Sequence, residues 1–186
     1  MTIPGASADS ISAPAVALAS RRAVISTSGS SGTEREATLL EVRISVAADE
    51  RTGVAQAVMD ELRRRGHEPI PHGVLSDTER DDWAWASEAA ARDVADGRAD
   101  QAIVCCWTGT GASIAANKVP GVRAALCGDA ETARGARRWN DANVLALSLR
   151  ATSEALLAEI LDGWFAAAPS EDPDDVANVR HVNEIG

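Results

Sequence analysis

The sequence is poor in several residue types, and each shortage narrows what the protein can be. The 186 residues include no tyrosine and only 3% aromatics, so Ala, Val, Leu and Ile must build the hydrophobic core. Three cysteines, two of them adjacent, are too few for a disulfide framework and favour a reducing compartment, the cytoplasm. No apolar run approaches the ~20 residues that span a bilayer, and no secretory signal is predicted.

Positive charge is also scarce. Eighteen Lys and Arg residues stand against 28 Asp and Glu residues, which gives a net charge of −10 and a pI of about 4.7. This balance argues against a nucleic acid or an anionic membrane as the partner. A small anionic metabolite remains compatible with it, provided that the binding pocket is locally basic.

The composition changes near residue 41. Residues 1–40 are rich in Ser, Ala, Thr and Gly and have almost no apolar periodicity, so we predict a disordered leader there. With 45% hydrophobic residues, the rest of the chain can bury one substantial core. Residues 41–186 are therefore predicted to form a single domain.

Strand and helix patterns alternate through this domain. Strands are predicted near 42–46, 68–70, 102–106, 122–127 and 144–147, with helical periodicity between them and after the last. Such alternation indicates an α/β fold, a three-layer αβα sandwich around a parallel five-stranded sheet. Ligands bind beyond the carboxyl ends of such strands. Asp49, Cys106 and Asn140 fall near strand ends or the loops beside them, so we expect them to meet at one rim.

A thiol stands directly before a glycine-rich turn. Cys106 ends the apolar run 102–105, and Gly109 and Gly111 follow it, ahead of a helix predicted at 113–117. A thiol in this position faces backbone N–H groups and the positive end of a helix, and both favour a thiolate and a bound anion. The pattern is typical of a nucleophile or base beside an anion hole.

Two nucleotide-binding motifs are missing. The turn after the first strand has Gly53 as its only glycine, so it cannot form the dinucleotide-binding G-x-G-x-x-G loop. Lys118 lies too far beyond Gly111 for a phosphate-binding P-loop. A nucleotide is therefore a distant alternative as ligand.

Two longer motifs resemble a known family. The stretch from Cys106 to Lys118, continued to Cys127, and the stretch from Asn140 to Leu147 are similar to the RpiB/LacAB sugar-phosphate isomerases. This family includes ribose-5-phosphate isomerase B and galactose-6-phosphate isomerase. The resemblance implies a Rossmann-like sheet, and aldose–ketose isomerisation of a small sugar phosphate through a cis-enediolate, with no metal and no cofactor. It also implies a homodimer, or a dimer of dimers, with active sites shared between subunits.

The resemblance assigns catalytic roles in the cysteine motif. Cys106 falls where the family has the base that removes the proton alpha to the carbonyl. Gly109 and Gly111 match the loop that stabilises the enediolate, and Thr108 adds a hydroxyl donor. Preorganised donors of this kind stabilise charge that develops on a carbonyl oxygen.

Other positions match substrate-binding and phosphate-binding residues of the family. Asp49 matches the aspartate after the first strand, and Asn140 matches the asparagine that reaches the sugar from the partner subunit. Arg150 resembles an arginine that binds the phosphate. Arg180 and His181 match the first of two phosphate-binding positions near the C-terminus.

The chain departs from the family where the family opens a sugar ring. Trp139 and Glu50 replace its two histidines, Trp107 replaces a glycine, and Glu184 stands where a second phosphate arginine belongs. Indole cannot exchange the protons that ring opening requires. We therefore expect either an open-chain substrate, such as a tetrose 4-phosphate, or ring opening by Glu50 or His181. Trp107 and Trp139 are expected to narrow the pocket.

Structural interpretations of the same residues stay open. Cys106 could be a small buried hydrophobe, Asp49 a cap of the first helix, Asn140 a turn former, and Arg150 a solvated residue at a helix start. A second function is also open, a non-catalytic sugar-phosphate-binding protein or an inactive subunit of a hetero-oligomeric isomerase.

The remaining cysteines, tryptophans and histidines are expected to be structural. Cys105 and Cys127 are predicted in the core. Trp83, Trp85 and Trp164 are expected in the core or a dimer interface, and His67 and His72 in surface loops. No His, Cys and Asp grouping has the spacing of metal ligands.

Overall fold

The structure of the protein is a computed structural model that describes residues 42–185, so the predicted leader at 1–40 lies outside the described residues. The strands are β1 Arg43–Ala48, β2 Glu68–Gly73, β3 Gln101–Cys106, β4 Ala124–Leu126 and β5 Val144–Ser148. The helices are α1 Gly53–Arg64, α2 Trp83–Ala95, α3 Thr110–Ala116, α4 Ala130–Asn140, α5 Glu154–Ala166 and α6 Pro173–Ile185. All the strands pair in parallel, in the order β2-β1-β3-β5-β4.

Helices cover both faces of the sheet. Successive residues of a strand point to opposite faces. Ile103 and Cys105 of β3 accordingly pack against α1, α4 and α5, whereas Val104 and Cys106 pack against α2 and α3. The predicted fold class is therefore confirmed: an α/β, three-layer αβα sandwich with a Rossmann-like parallel five-stranded sheet.

Side-chain caps fix where several helices begin. Thr52 accepts a hydrogen bond from the backbone N–H of Ala55 at the start of α1, and Ser153 caps α5 in the same way. A cap of this type contributes about 1 kcal/mol. Because Thr52 caps α1, Asp49 is not its cap, and the structural interpretation of Asp49 is wrong.

Two strands differ in length from their predictions. β2 runs to Gly73 rather than Ile70, at the sheet edge that its prolines favour. β4 is only three residues long, against the predicted 122–127, because the backbone N–H of Arg123 bonds to the Asn143 side chain instead of a strand. Neither change alters the topology.

Of the expectations for tryptophan and histidine, the one for His72 is wrong. Trp164 is 1% exposed and belongs to the core, but Trp83 and Trp85 are about half exposed and lie outside it. His72 is a buried residue of β2 rather than part of a surface loop, because β2 extends past it. His67 is half-buried against Phe165.

The sheet order creates a crevice between β1 and β3. From β1 the chain moves to β2 at one edge, and from β3 it moves through α3 towards β4 at the other edge. The helices that follow β1 and β3 cover opposite faces, so the carboxyl ends of these two strands flank an opening. Asp49 and Cys106 lie at those two ends.

No helix among the described residues is long and apolar enough to cross a bilayer.

Candidate active site

Cys106 is the last residue of β3, and its side chain faces α3. The backbone N–H of Ala112 donates a hydrogen bond to the Cys106 Sγ, with an N···S distance of 3.4 Å. Cys106 is 5% exposed, while Cys105 points to the opposite face and burial raises the pKa of its thiol to about 12. The Cys106 sulfur therefore faces the glycine-rich turn and the helix after it, as the sequence predicts.

The segment after Cys106 is held against the end of β5. The Cys106 carbonyl accepts a hydrogen bond from the backbone N–H of Leu149 at 3.0 Å. The Trp107 carbonyl accepts one from the Arg150 backbone at 3.1 Å and one from the Ser148 hydroxyl at 2.9 Å. These bonds fix the start of the turn, and with it the position of the thiol.

Both glycines of the turn lie where a side chain would not fit. Gly109 has a φ of +75°, and a Cβ there would lie 2.5 Å from Leu126 and 2.8 Å from the Leu147 backbone. Gly111 lies under the indole of Trp83, with 3.0 Å between an added Cβ and the ring. Glycine therefore lets the turn pass close to β5 and lets Trp83 cover it.

Asp49 follows β1 and carries an unsatisfied carboxylate. Its Oδ1 is buried and has no hydrogen-bond partner among the described residues. Burial raises the pKa of Asp49, and the negative charges of Glu50 and Asp81 raise it further, against a lowering by its own backbone N–H. A buried acceptor without a partner is destabilising unless a ligand supplies a donor.

Thr108 and Arg150 present polar groups at the same edge of the sheet. The Thr108 hydroxyl lies 2.7 Å from that of Thr110, and both residues are exposed. Arg150 is exposed, and its guanidinium makes no ion pair with any described residue. This edge therefore gathers Asp49, Cys106, Thr108, Arg150 and the two glycines, which we call the carboxyl-edge group.

Asn140 lies at the opposite side of the sheet from Cys106, near the amino ends of the strands. It is the last residue of α4 and stands four residues before β5, whose first residue, Val144, pairs with Ala102 near the start of β3. Four residues of strand, roughly 13 Å, separate Ala102 from Cys106. The expectation that Asp49, Cys106 and Asn140 meet at one rim of the chain is therefore wrong for Asn140, because α4 carries it back across the sheet.

Arg180 and His181 also lie away from Cys106. Both are exposed residues of α6, and His181 is 3.8 Å from Glu184. The same helix reaches the amino end of β4, where the Arg123 guanidinium donates to the Asn183 side chain at 3.0 Å. Asn140, Arg180 and His181 form a second set, which we call the amino-edge group.

A network of arginines fixes the turn that carries Asn140. Asp141 has a left-handed backbone, with a φ of +44°, and its carboxylate is 2.9 Å from Nη2 of Arg123. Arg123 Nε also donates to the Asp141 carbonyl at 2.8 Å. Arg137 donates to the Ala142 carbonyl from the other side. These bonds end α4 sharply and leave Asn140 exposed.

Sequence reasoning missed several residues near the carboxyl-edge group. Trp83 and Asp81 reach it from the segment between β2 and α2, Trp83 by packing on Gly111 and Asp81 through its charge near Asp49. No local signal indicates these contacts, because they join segments about 30 residues apart. Within residues 42–185, no group of three or more metal-ligating side chains is assembled.

Comparison with known proteins identifies relatives that share both the fold and the motifs. Subunit LacB of galactose-6-phosphate isomerase from Clostridium acetobutylicum is 34% identical over 132 residues, 71% of this chain and 76% of the relative. Ribose-5-phosphate isomerase B from Escherichia coli K12 is 40% identical over 110 residues, 59% of this chain and 73% of the relative. D-Erythrulose-4-phosphate isomerase from Pectobacterium atrosepticum is 32% identical over 125 residues, 67% of this chain and 82% of the relative.

Solved structures agree with the sequence relatives. Ribose-5-phosphate isomerase B from Clostridium thermocellum superposes with a TM-score of 0.70 at 35% identity, covering 77% of this chain and 96% of that chain. The family model described as Ribose/Galactose Isomerase matches residues 44–185. The predicted enzyme class, an aldose–ketose isomerase, is confirmed at this level, and the chain belongs to the ribose/galactose isomerase family.

Proposed function

We propose that this protein interconverts an aldose phosphate and a ketose phosphate through a cis-enediolate, with Cys106 as the base. The observation that carries the proposal is the orientation of the Cys106 sulfur. It faces the backbone N–H of Ala112. The adjacent turn contains Gly109 and Gly111, which have no side chains that would shield the backbone. In a member of this family, that arrangement supports proton transfer next to a stabilised oxyanion.

The reaction moves one proton between two carbons and one between two oxygens, and it leaves the composition of the sugar unchanged. The Cys106 thiolate takes the proton from the carbon alpha to the carbonyl, and the C–H electron pair forms the double bond of the enediolate. Backbone N–H groups of the turn after Cys106, other than that of Gly109, which donates to the Cys106 carbonyl, and the Thr108 hydroxyl donate to the developing oxyanion. The thiol then returns a proton to the neighbouring carbon, while a hydroxyl proton moves between the two oxygens.

Asp49 and Arg150 serve to bind the substrate on the carboxyl edge. The unpartnered Oδ1 of Asp49 accepts a hydrogen bond from a sugar hydroxyl, which removes the penalty of a buried acceptor without a donor. The Arg150 guanidinium, with no ion pair among the described residues, binds the phosphate. These two roles follow from the family resemblance and fit the chemistry of the groups.

We infer that the functional unit is a homodimer, or a dimer of dimers, whose sites combine both edges. The carboxyl-edge group of one subunit would meet the amino-edge group of its partner, so that Asn140, Arg180 and His181 complete a site that Cys106 begins. Support comes from the separation of the two groups within one chain. The three unpaired cysteines fit a reducing cytoplasm, which we propose as the compartment.

We propose an open-chain tetrose 4-phosphate as the substrate. Its phosphorylated hydroxyl cannot close a five-membered ring, so no ring-opening residue is needed where Trp139 and Glu50 replace the family histidines. The erythrulose-4-phosphate isomerase among the relatives supports this choice. Glu50 is exposed beside Asp49 and is the alternative ring-opening group on the carboxyl edge.

The direct test compares kcat/KM for erythrose 4-phosphate, which cannot close a five-membered ring, with kcat/KM for ribose 5-phosphate, which is a furanose. We expect the tetrose to be preferred by at least about tenfold, since opening the ribose ring needs a proton acceptor that Trp139 cannot supply. A strong preference for the pentose would reject the tetrose assignment. Isomerisation of either sugar would still support the reaction class.

A further inference from the structure

His72 is a buried histidine whose two ring nitrogens both face carboxylates. Its Nε2 is 2.7 Å from Oδ2 of Asp93 on α2, and its Nδ1 is 2.9 Å from Oε2 of Glu79. The His72 side chain is 10% exposed, and the Asp93 side chain is 8% exposed. If both ring nitrogens carry a hydrogen, the ring donates one hydrogen bond to each carboxylate. The ring therefore bridges two anions in a buried position.

Asp93 forms the fixed side of this bridge. Its Oδ2 also accepts a hydrogen bond from the Ser45 hydroxyl at 2.6 Å, and its Oδ1 accepts one from Arg98 at 2.6 Å. Burial raises the pKa of Asp93, but the hydrogen bonds from Ser45, Arg98 and His72 outweigh it and hold the pKa below its usual value. A carboxylate with three donors on β1, β2 and the α2–β3 turn has little freedom to move.

Glu79 forms the other side of the bridge, and it belongs to the connection between β2 and α2. Residues 74–82 of this connection contain no helix or strand. Glu79 is their link to the buried network, since its Oε2 accepts hydrogen bonds from His72 and, at 3.3 Å, from the Gly73 backbone. The Glu79 side chain is 37% exposed, whereas that of its partner His72 is 10% exposed, so Glu79 joins a surface segment to a buried residue.

The connection at residues 74–82 borders the carboxyl-edge group. It begins with Val74, whose backbone N–H donates to the Ala48 carbonyl at 2.9 Å, one residue before Asp49. It contains Asp81, whose charge raises the pKa of Asp49. It leads directly into Trp83, which covers Gly111. Any movement of these residues would therefore reach both sides of the crevice.

We propose that His72 is a positioning residue for the active site. It acts as a buried cation that ties Glu79 to Asp93 and so holds residues 74–82 against the crevice. The expected effect on KM rests on the proposed function. The contacts of His72 with Glu79 and Asp93 do not, because they belong to the fold. The charge matters more than the ring, because any cation of suitable length satisfies two carboxylates.

The experiment compares His72→Gln with His72→Lys. In His72→Gln, we expect KM for erythrulose 4-phosphate to rise about tenfold or more with a smaller change in kcat, because a neutral amide holds Glu79 weakly. Amide hydrogen exchange in residues 74–82 should accelerate in the same variant. In His72→Lys, both KM and exchange should return most of the way to wild-type values.

The matched control is His67→Gln, at the other end of β2. His67 packs on Phe165 and has no hydrogen bond to its buried Nδ1, so its loss should leave KM and the exchange of residues 74–82 unchanged. If His72→Gln does not fold, Glu79→Gln gives the same readings with the imidazole intact. The proposal is overturned if a folded His72→Gln or Glu79→Gln keeps wild-type exchange in residues 74–82, or if His72→Lys is no better than His72→Gln. Absence of turnover in the wild type would instead reject the proposed function and leave the exchange result to decide the positioning role.

Discussion

Asp49 shows how one residue can oppose stability and serve the proposed activity. Its buried Oδ1 has no partner, and burial and the charges of Glu50 and Asp81 raise its pKa. This carboxylate therefore lowers the stability of the folded protein, and a hydrogen bond from a sugar hydroxyl would remove that penalty. Residues of this kind are typical of functional sites, where stability and activity compete.

We predict that Asp49→Asn stabilises the protein and lowers its activity. The free energy of unfolding should rise by about 1 kcal/mol at neutral pH, since the charged form is the one that burial disfavours. The sign follows from the raised folded pKa: the penalty is absent below the unfolded pKa and appears as the pH rises through the folded pKa. Denaturant titrations at pH 4 and pH 7, with assays of kcat/KM, measure both effects.

The control for Asp49→Asn is Glu159→Gln, which removes an exposed charge from α5. The free energy of unfolding should change by no more than a few tenths of a kcal/mol there, and kcat/KM should stay at the wild-type value. A loss of stability in Asp49→Asn at neutral pH would mean that the carboxylate has a partner in the folded protein. Unchanged activity would remove Asp49 from substrate binding.

At the scale of elements, the turn between β3 and α3 depends on glycine at one position above all. Gly109 combines a positive φ with backbone and side-chain atoms too close for a Cβ. Gly97 also has a positive φ, of +74°, but a Cβ there meets nothing within 4 Å. Comparing the same substitution at the two positions therefore separates the cost of backbone strain from the cost of steric exclusion.

We predict that Gly109→Ala damages the turn far more than Gly97→Ala. Gly97→Ala should lower the free energy of unfolding by about 1 kcal/mol, the strain of a left-handed alanine, with turnover unchanged. Gly109→Ala should cost roughly 2–4 kcal/mol and reduce turnover strongly, because the turn must move off Leu147 and β5. Thermal unfolding and steady-state assays distinguish them, and equal effects of the two variants would contradict the steric argument.

Elements set by local pattern could be predicted from the sequence, and those set by distant partners could not. The strand, turn and helix around Cys106 follow from an apolar run, two glycines and small helical residues, and the structure has them in place. The length of β4 depends on a hydrogen bond from Arg123 to Asn143, twenty residues away, which no local pattern shows. The helix α6 has no buried residues among its described positions, although Val176, Val179 and Val182 recur at a spacing of three residues, and it is not predicted from the sequence.

The residues of the candidate site divide in the same way, into those placed by local pattern and those placed by distant contacts. Cys106, Thr108 and both glycines lie on one continuous segment and could be placed by reading it. The sequence pattern predicts His72 in a surface loop, beyond a strand that ends at Ile70, although the strand continues through Pro71 to Gly73 at the sheet edge. The burial of its ring depends on Asp93 and Glu79, which are separated from it by 21 and 7 residues.

At the scale of the whole molecule, the position of Asn140 decides how the site is assembled. Strand polarity puts Asn140 at the amino edge of the sheet and Cys106 at the carboxyl edge, so a single chain does not join them. A two-fold dimer brings unlike edges together twice, once at each site.

We predict that two inactive variants complement each other. Cys106→Ala and Asn140→Ala should each abolish most turnover alone. Refolded together in equal amounts, they should recover about a quarter of wild-type activity, because half of the dimers are mixed and each has one intact site. Failure to recover activity, with mixed dimers present by mass spectrometry, would reject shared sites.

The account depends most on the role of the Cys106 sulfur, and Cys105 next to it is the natural control. Both thiols are buried in the sheet, but they point to opposite faces, and only the Cys106 sulfur accepts the Ala112 N–H. Cys105→Ala should therefore lose some stability and keep its chemistry.

The decisive measurement is the exchange of the alpha proton of erythrulose 4-phosphate with deuterium oxide, followed by NMR in Cys106→Ala and Cys105→Ala. The account predicts that Cys106→Ala loses exchange by about a thousandfold or more while its thermal unfolding stays cooperative, and that Cys105→Ala exchanges at close to the wild-type rate. Exchange at the wild-type rate in folded Cys106→Ala would contradict it.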